Sequence, residues 1–444
     1  MVVIGAGLSG LVAGRRLAAR GLDVAVVEAR DRVGGRIKRV VAGSGESLEA
    51  GGELLGLHMK SLVSLAQELD VPVVPLHGEG ATVRFSDGRR IVEAFPYESE
   101  PHIAKAQAAL AAKLDAMARE VPIREPWLAP QASEWDSQTL ASWLRLNVED
   151  ANVADSLRSE FDFTGATPAE ISFLFALWLV HSMGGWETWR VGTTHRFRGG
   201  SSEVIDALAG GLDGRIFDRA PVRRVAYDDA GATVHTDRGS VRCRTLVAAL
   251  SPILCGRIHW EPALPLARER LQNRYLQGHG IKFLATYAEP WWRAEGMAGL
   301  GTGLSPIALV ADMTGPEHSQ GRLAGFVPVT GELARRFSRE LGQPDTAREL
   351  FLEQATRYLG PRAADAKEVY MFNWVSDPWA IGAAVGVPPG VLTTVGAALR
   401  EPIGPITWAG AETGLPQCDW MEGAASAGER AAEEVWAVTQ GVPS

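Results

Sequence analysis

The hydrophobic pattern opens on a buried strand. Val2–Ile4 form an apolar run, a glycine-rich turn follows at once, and Leu11, Ala18 and Leu22 continue at helical spacing. Residues 24–27 then read as a second buried strand that ends at Glu28. Strand-like runs return in mid-chain at 222–227, 233–236 and 245–249, again at Ile281–Tyr287, and at Ile406–Ala409 before a final helix over 420–438. Thr167-Pro168-Ala169-Glu170 is a capping box with proline at the first helical position, and it predicts the start of a helix carrying the apolar run 171–180. Apolar on all sides, that helix should be buried. It falls well short of the ~20 apolar residues that a membrane span requires.

Composition narrows the field. A chain of 444 residues suggests two or three domains. With 22% charged and 46% hydrophobic residues, wholesale disorder is excluded. A net charge of −9 argues against a nucleic-acid partner. Cys243, Cys255 and Cys418 are odd in number and far apart, so they offer neither a disulfide framework nor a zinc pattern, and no metal is expected. The chain opens directly on MVVIGAG and closes on GVPS, so neither a signal peptide nor a tail anchor is expected, and the expected location is the cytoplasm.

The first turn carries chemistry. In Gly5-Ala6-Gly7-Leu8-Ser9-Gly10, Gly5 permits the tight turn, Gly7 lets backbone N–H groups approach a pyrophosphate, and Gly10 lets helix pack on strand. The helix N-terminus adds unpaired donors for the phosphates. Glu28, at the end of the second strand, can accept hydrogen bonds from ribose hydroxyls. A dinucleotide site follows, without a choice between NAD and FAD. The next residues favour a flavin. Gly34-Gly35 flanked by Arg30, Arg32 and Arg36, then Gly51-Gly52, would hold a longer cofactor, with Arg36 available to a phosphate.

These residues resemble the flavin amine oxidase (monoamine oxidase-like) family. Its ExRxRxGGR signature stands as Glu28 to Arg36, and its C-terminal signature as Trp408-Ala409-Gly410-Ala411-Glu412-Thr413 followed by Trp420-Met421-Glu422-Gly423-Ala424. Phe197 to Ser202, Pro221-Val222 and Trp374 to Pro378 fall between them in the family's order. The resemblance implies an α/β fold: a Rossmann-type FAD-binding domain (1–77, 190–271 and 386–444) interleaved with an α+β substrate domain (78–189 and 272–385). It implies FAD contacts from Gly5, Gly7, Ser9, Gly10, Glu28, Arg30, Gly35, Arg36, Gly51, Gly52, Val222, Glu412 and Met421. It also implies an oxidase turning an amine into an imine, then a carbonyl, with O2 as electron acceptor and H2O2 as product. The homodimer is left open, and no membrane partner is expected.

Two residues would stand at the reacting face. By composition, Lys282 reads as a solvated edge-strand lysine; the resemblance instead places it beside a water at flavin N5, where a buried amine could support proton movement. Trp420 matches one wall of the family's aromatic cage. Counting from Asn373-Trp374, the family's flavin-bearing cysteine falls at Ala383 and the second cage ring at Ala384. A noncovalent FAD and a half-open cage are expected, unless Trp379 or another ring fills the gap. The small residues of 423–428 allow close approach to a ligand, or simply tight helix packing. His181, Trp186 and Trp189 border the substrate region, with His181 more simply a hydrogen-bonded helix-end group. No arginine follows Gly51-Gly52, although Arg196 or Arg198 could substitute; Glu53 suits a cationic substrate, so an amine is favoured over an amino acid. An amino-acid oxidase, a desaturase-type enzyme and an inactive flavin-binding scaffold are the competing possibilities.

Overall fold

The computed structural model describes residues 1–86, 88–94, 100–161, 164–278, 280–328 and 344–441, so the closing Val442 to Ser444 lie outside it. Five parallel strands form the first sheet, in the order Ile216–Phe217, Ala25–Val27, Val2–Ile4, Leu246–Ala249, Ile406–Ala409. The central strand is flanked by chain from near residue 25 and near residue 246, so the sheet is assembled from widely separated segments.

Alternation along these strands feeds two cores. Val3 and Val26 point to a face covered by the Leu8–Ala19 and Met421–Thr439 helices. Val2, Ile4 and Val27 point the other way, against Trp260, Trp408 and the sheet of Gly239–Cys243, Gly231–Thr236, Val222–Asp228 and His259–Glu261. Gly10 sits where helix meets strand: a Cβ there would lie 1.9 Å from the Gly5 carbonyl oxygen. Close packing also explains the small residues of the last helix. A Cβ at Gly428 would lie 2.5 Å from the Ser9 carbonyl oxygen, and one at Gly423 2.4 Å from that of Gln417.

A seven-stranded sheet forms the second unit, ordered Glu368–Asn373, Ile281–Tyr287, Gly321–Val327, Leu309–Asp312, Met297–Thr302, Ala81–Ser86, Arg89–Glu93. Ile281–Tyr287 is paired on both sides and every one of its residues is buried, which corrects the edge-strand reading of Lys282. The Pro344–Leu359 helix covers one face, with Phe351 stacked on Phe283 at 5.7 Å between ring centres. A helical layer surrounds Phe173–Met183, whose first ring stacks on Trp143 at 4.4 Å. That helix is buried as expected but starts later than the capping box predicts. Ser172 is its cap, because the Ser172 hydroxyl donates to buried Asp136 at 2.6 Å and accepts from the Phe175 N–H. Thr167 and Glu170 close a separate turn through the Thr167 N–H and hydroxyl. Among the described residues, no helix is long and apolar enough to cross a membrane, and no cluster of His, Cys, Asp or Glu could hold a metal ion.

Candidate active site

A cavity of about 1780 Å³ lies between the two sheets, reaching from the first glycine turn into the helical layer. Every residue named above for cofactor or catalysis lines it except Gly10, whose place is the helix–strand contact, and Arg32, whose guanidinium donates to the Val33, Gly35 and Ile37 carbonyls. Glu28 Oε2 accepts from the Ala6 N–H at 2.8 Å and Oε1 from the Arg30 N–H at 2.9 Å. Each oxygen keeps a lone pair for a further donor such as a ribose hydroxyl. Arg30 donates to Asp377 at 2.8 Å, which ties the Trp374 to Pro378 motif to the chain just after Glu28. Ser9 Oγ is the acceptor for the Gly410 N–H at 2.9 Å, joining the first motif to the last.

Arg36 does not stand free for a phosphate. It donates to Glu412 at 2.8 Å, to Asp419 at 2.7 Å and to the Ala383 carbonyl at 2.9 Å. Burial opposes its charge, but the two carboxylates outweigh that cost and hold its pKa above the ordinary value. Glu412 keeps Oε2 buried and without a hydrogen-bond partner. Such an oxygen is costly unless a donor reaches it, and the hydroxyls of a ribityl chain are donors of the right kind. The glycine pair 51–52 forms a cradle: a Cβ at Gly51 would lie 2.0 Å from the Arg36 carbonyl oxygen, and one at Gly52 3.5 Å from Met421. These residues fit a dinucleotide with a hydroxylated tail.

Lys282 points from its strand toward that cradle. Its ammonium donates to Glu53 Oε2 at 2.8 Å and to the Gly51 carbonyl at 3.1 Å, and stands 5.5 Å from the centre of the Phe326 ring. Lys282 and Glu53 are only 5% and 7% exposed, so Glu53 is committed to the lysine and is not the free acid that the sequence suggested for a cationic substrate. Behind the pair, Arg196 Nε stands 3.9 Å from Glu53, and Arg196 also meets Glu317 at 3.5 Å. Glu49 follows in the same buried cluster, accepting from the Ser202 N–H and hydroxyl at 3.0 Å each. Burial and, more weakly, Glu53 push the Glu49 carboxyl up to about 7, against the Ser202 hydrogen bonds.

Trp420 precedes the last helix and lines the cavity, as does Ala384. Ala383 packs close on the neighbouring chain: a Cβ at Gly280 would lie 2.3 Å from its Cβ. Trp379 also lines the cavity, with its ring 5.6 Å from the Arg223 guanidinium. His181 is outside the cavity wall and its Nδ1–H donates to the Val121 carbonyl at 2.7 Å, the plain helix-end role. Trp189 lines the cavity and Trp186 does not. Arg196 and Arg198 are likewise absent from the wall. Asp419 carries no signal that local patterning could read. It holds a backbone φ of +71°, meets Arg36, and accepts from the Val385 N–H at 2.6 Å. Glu53 was visible as an acid after a glycine pair, but its lysine lies 229 residues away.

A carboxylate with an unpartnered oxygen, a glycine cradle and a buried lysine around one cavity fit a flavin-dependent oxidoreductase. The family model for flavin containing amine oxidoreductases matches residues 8–436, and the chain belongs to that family. It is 32% identical over 452 aligned positions to a flavin-containing amine oxidase of Oncorhynchus mykiss, covering 98% of this chain and 85% of that protein. It is also 30% identical to an L-amino acid dehydrogenase of Synechocystis sp., covering 98% and 94%. Among solved structures, wild-type putrescine oxidase bound to putrescine superposes with a TM-score of 0.92 at 31% identity, covering 98% of each chain. The chain is thus an oxidoreductase of the amine-oxidising class, with a flavin cofactor.

Proposed function

We propose that this protein is an FAD-dependent amine oxidase of the cytoplasm that holds FAD noncovalently. The observation that carries this reading is the Lys282–Glu53 pair facing Gly51-Gly52 and the unpartnered Glu412 oxygen in one cavity. A neutral amine enters, its C–N bond is oxidised to an imine, and hydrolysis of the imine releases a carbonyl product. O2 takes up the electrons and leaves as H2O2. FAD, when bound, supplies the two-electron acceptor between amine and oxygen.

The chain's own work is positioning and electrostatics. Lys282 holds its ammonium at the cradle, fixed in direction by Glu53 and the Gly51 carbonyl, where it can orient a water and hold a proton. Trp420 offers one apolar wall for the reacting amine, and the methyl side chain of Ala384 leaves the opposite wall open to a bulkier group. Phe326, beside the lysine, adds a further ring to the cavity. With alanine at 383, no sulfur is present there to bond the flavin. The division into a cofactor domain (1–77, 190–271 and 386–444) and a substrate domain (78–189 and 272–385) is supported by the sheets. The five-stranded sheet draws on all three segments of the first set, and the seven-stranded sheet only on the second.

Oxidation of an α-amino acid is the second reading, favoured by the likeness to the L-amino acid dehydrogenase. It needs a free arginine for the carboxylate. In the substrate half of the cavity Arg84, Arg158 and Arg190 each already face a carboxylate, from Glu93 and Glu100, Asp155, and Glu187 respectively. Anaerobic mixing with amines and amino acids, followed by flavin absorbance, decides between the two. Bleaching by amines, with free FAD released on denaturation, is expected. Bleaching by α-amino acids alone would overturn the amine reading, and flavin that stays with the denatured chain would overturn noncovalent attachment.

A further inference from the structure

The cavity extends past the cradle to the end of the Ala151–Ser159 helix, where Glu160 lies half-buried on its wall. Seven carboxylates line this cavity, and six already meet a cation or backbone N–H groups. Glu53, Asp312, Glu412 and Asp419 each meet a buried or half-buried lysine or arginine. Asp155 pairs with Arg158 at 3.2 Å, and Glu28 accepts two backbone N–H groups. Glu160 is different. Among the described residues its carboxylate has neither a hydrogen bond nor an ion pair, and only its backbone N–H is engaged, by the Leu157 carbonyl at 3.2 Å.

Its neighbours sharpen the point. Arg190, the cation whose field reaches it, lies 3.3 Å from Glu187 on its own helix. The ring next to it in sequence, Phe161, stacks at 5.1 Å on Trp189, which also lines the cavity together with Phe175 and Leu179. Arg158 and Arg190 on this wall each face a carboxylate of their own, so Glu160 is the carboxylate here without an ion-pair partner. Burial pushes this carboxyl up to about 7, with Arg190 pulling it down and Glu187 adding to the rise. An ammonium arriving there would restore the lost solvation as a charge-assisted hydrogen bond.

Resting on the amine-oxidase reading above, we infer that Glu160 recognises a second ammonium at the far end of the substrate, so that the amine this enzyme prefers is a diamine or polyamine. The reacting amine would lie at the Lys282 and Trp420 end, with a methylene chain along Phe175 and Leu179. Glu160 is a specificity-determining residue and takes no part in the oxidation.

The test compares linear terminal diamines, from diaminobutane to diaminooctane, with the alkylamine of equal length on flavin-loaded enzyme. Wild type should favour the best-fitting diamine over its alkylamine in kcat/KM by on the order of tenfold to a hundredfold, mainly through KM. In E160Q that ratio should fall toward one at unchanged flavin content. Diamines no better than alkylamines in wild type, or a ratio unmoved by E160Q, would overturn the inference while leaving the amine-oxidase reading in place. Better turnover of ω-amino acids than of alkylamines would overturn it too, because the arginines of this wall would then outweigh Glu160. Failure of every amine to bleach the flavin would remove both. Should E160Q not retain flavin, the wild-type chain-length series still decides.

Discussion

Lys282→Met is the perturbation that best separates holding the structure from doing the chemistry. The substitution keeps the stem of the side chain and deletes the ammonium, leaving Glu53 buried at 7% exposure without its 2.8 Å donor. Breaking a buried pair on one side costs about 3–5 kcal/mol, because the surviving charge has lost both water and partner. Arg196 remains 3.9 Å from the other Glu53 oxygen, so the cost should sit near the low end, about 3 kcal/mol. Removing both charges in Lys282→Met/Glu53→Gln should recover most of it, since a neutral amide is far cheaper to bury than an orphaned carboxylate. Glu53→Gln alone completes the cycle. Urea unfolding of the flavin-free proteins, followed by tryptophan fluorescence, measures stability, and stopped-flow flavin reoxidation measures the reaction. The double variant should regain stability but not reoxidation rate. A Lys282→Met protein as stable as wild type, or a double variant no more stable than the single, would refute the account of this pair.

Three further outcomes follow from particular contacts. Glu49 has its carboxyl raised to about 7 by burial, so the folded state holds a proton that the unfolded chain gives up near 4.5. Its contribution is present below about pH 4.5 and is lost as pH rises through about 7, by up to about 3 kcal/mol. Glu49→Gln should flatten that part of the stability-against-pH curve, read from urea midpoints across the range; an unchanged slope would count against it. Gly51→Ala would press a Cβ to 2.0 Å from the Arg36 carbonyl oxygen, so the purified protein should carry little flavin per chain by visible absorbance. Ser172→Ala removes the helix cap and one donor to buried Asp136, for a loss of about 1–2 kcal/mol in the same unfolding assay. Asp136 keeps the Thr393 N–H and hydroxyl, which is why the loss should be no larger.

What could be read from the sequence follows the range of the interactions involved. The first strand, its glycine turn, the helix and Glu28 sit within thirty residues, and local patterning placed all of them. Ile406–Ala409 was legible for the same reason. Lys282 was legible only through likeness to a family, because its own neighbours describe a strand and say nothing of whether that strand is central or at an edge. Its central position comes from pairing with Gly321–Val327 and Glu368–Asn373, contacts that no local window contains. Ser172 defeated the capping box in a similar way. A locally good cap lost to one whose hydroxyl reaches a buried carboxylate 36 residues earlier.

The charged residues show the same limit with more consequence for function. A sequence shows that Arg36 and Glu53 carry charge near glycine pairs, and isolated charges invite an isolated partner such as a phosphate or a substrate amine. The fold instead brings Glu412 and Asp419 to Arg36 and brings Lys282 to Glu53, so each charge is spent on fixing a neighbour. Buried charges almost never stay single, since the cost of desolvation drives them into pairs. That rule turns the exceptions into the informative groups. The unpartnered Glu412 oxygen is where the proposed cofactor would bring a hydroxyl, and Glu160, the carboxylate left without a cation, is where a second charge on the substrate would settle.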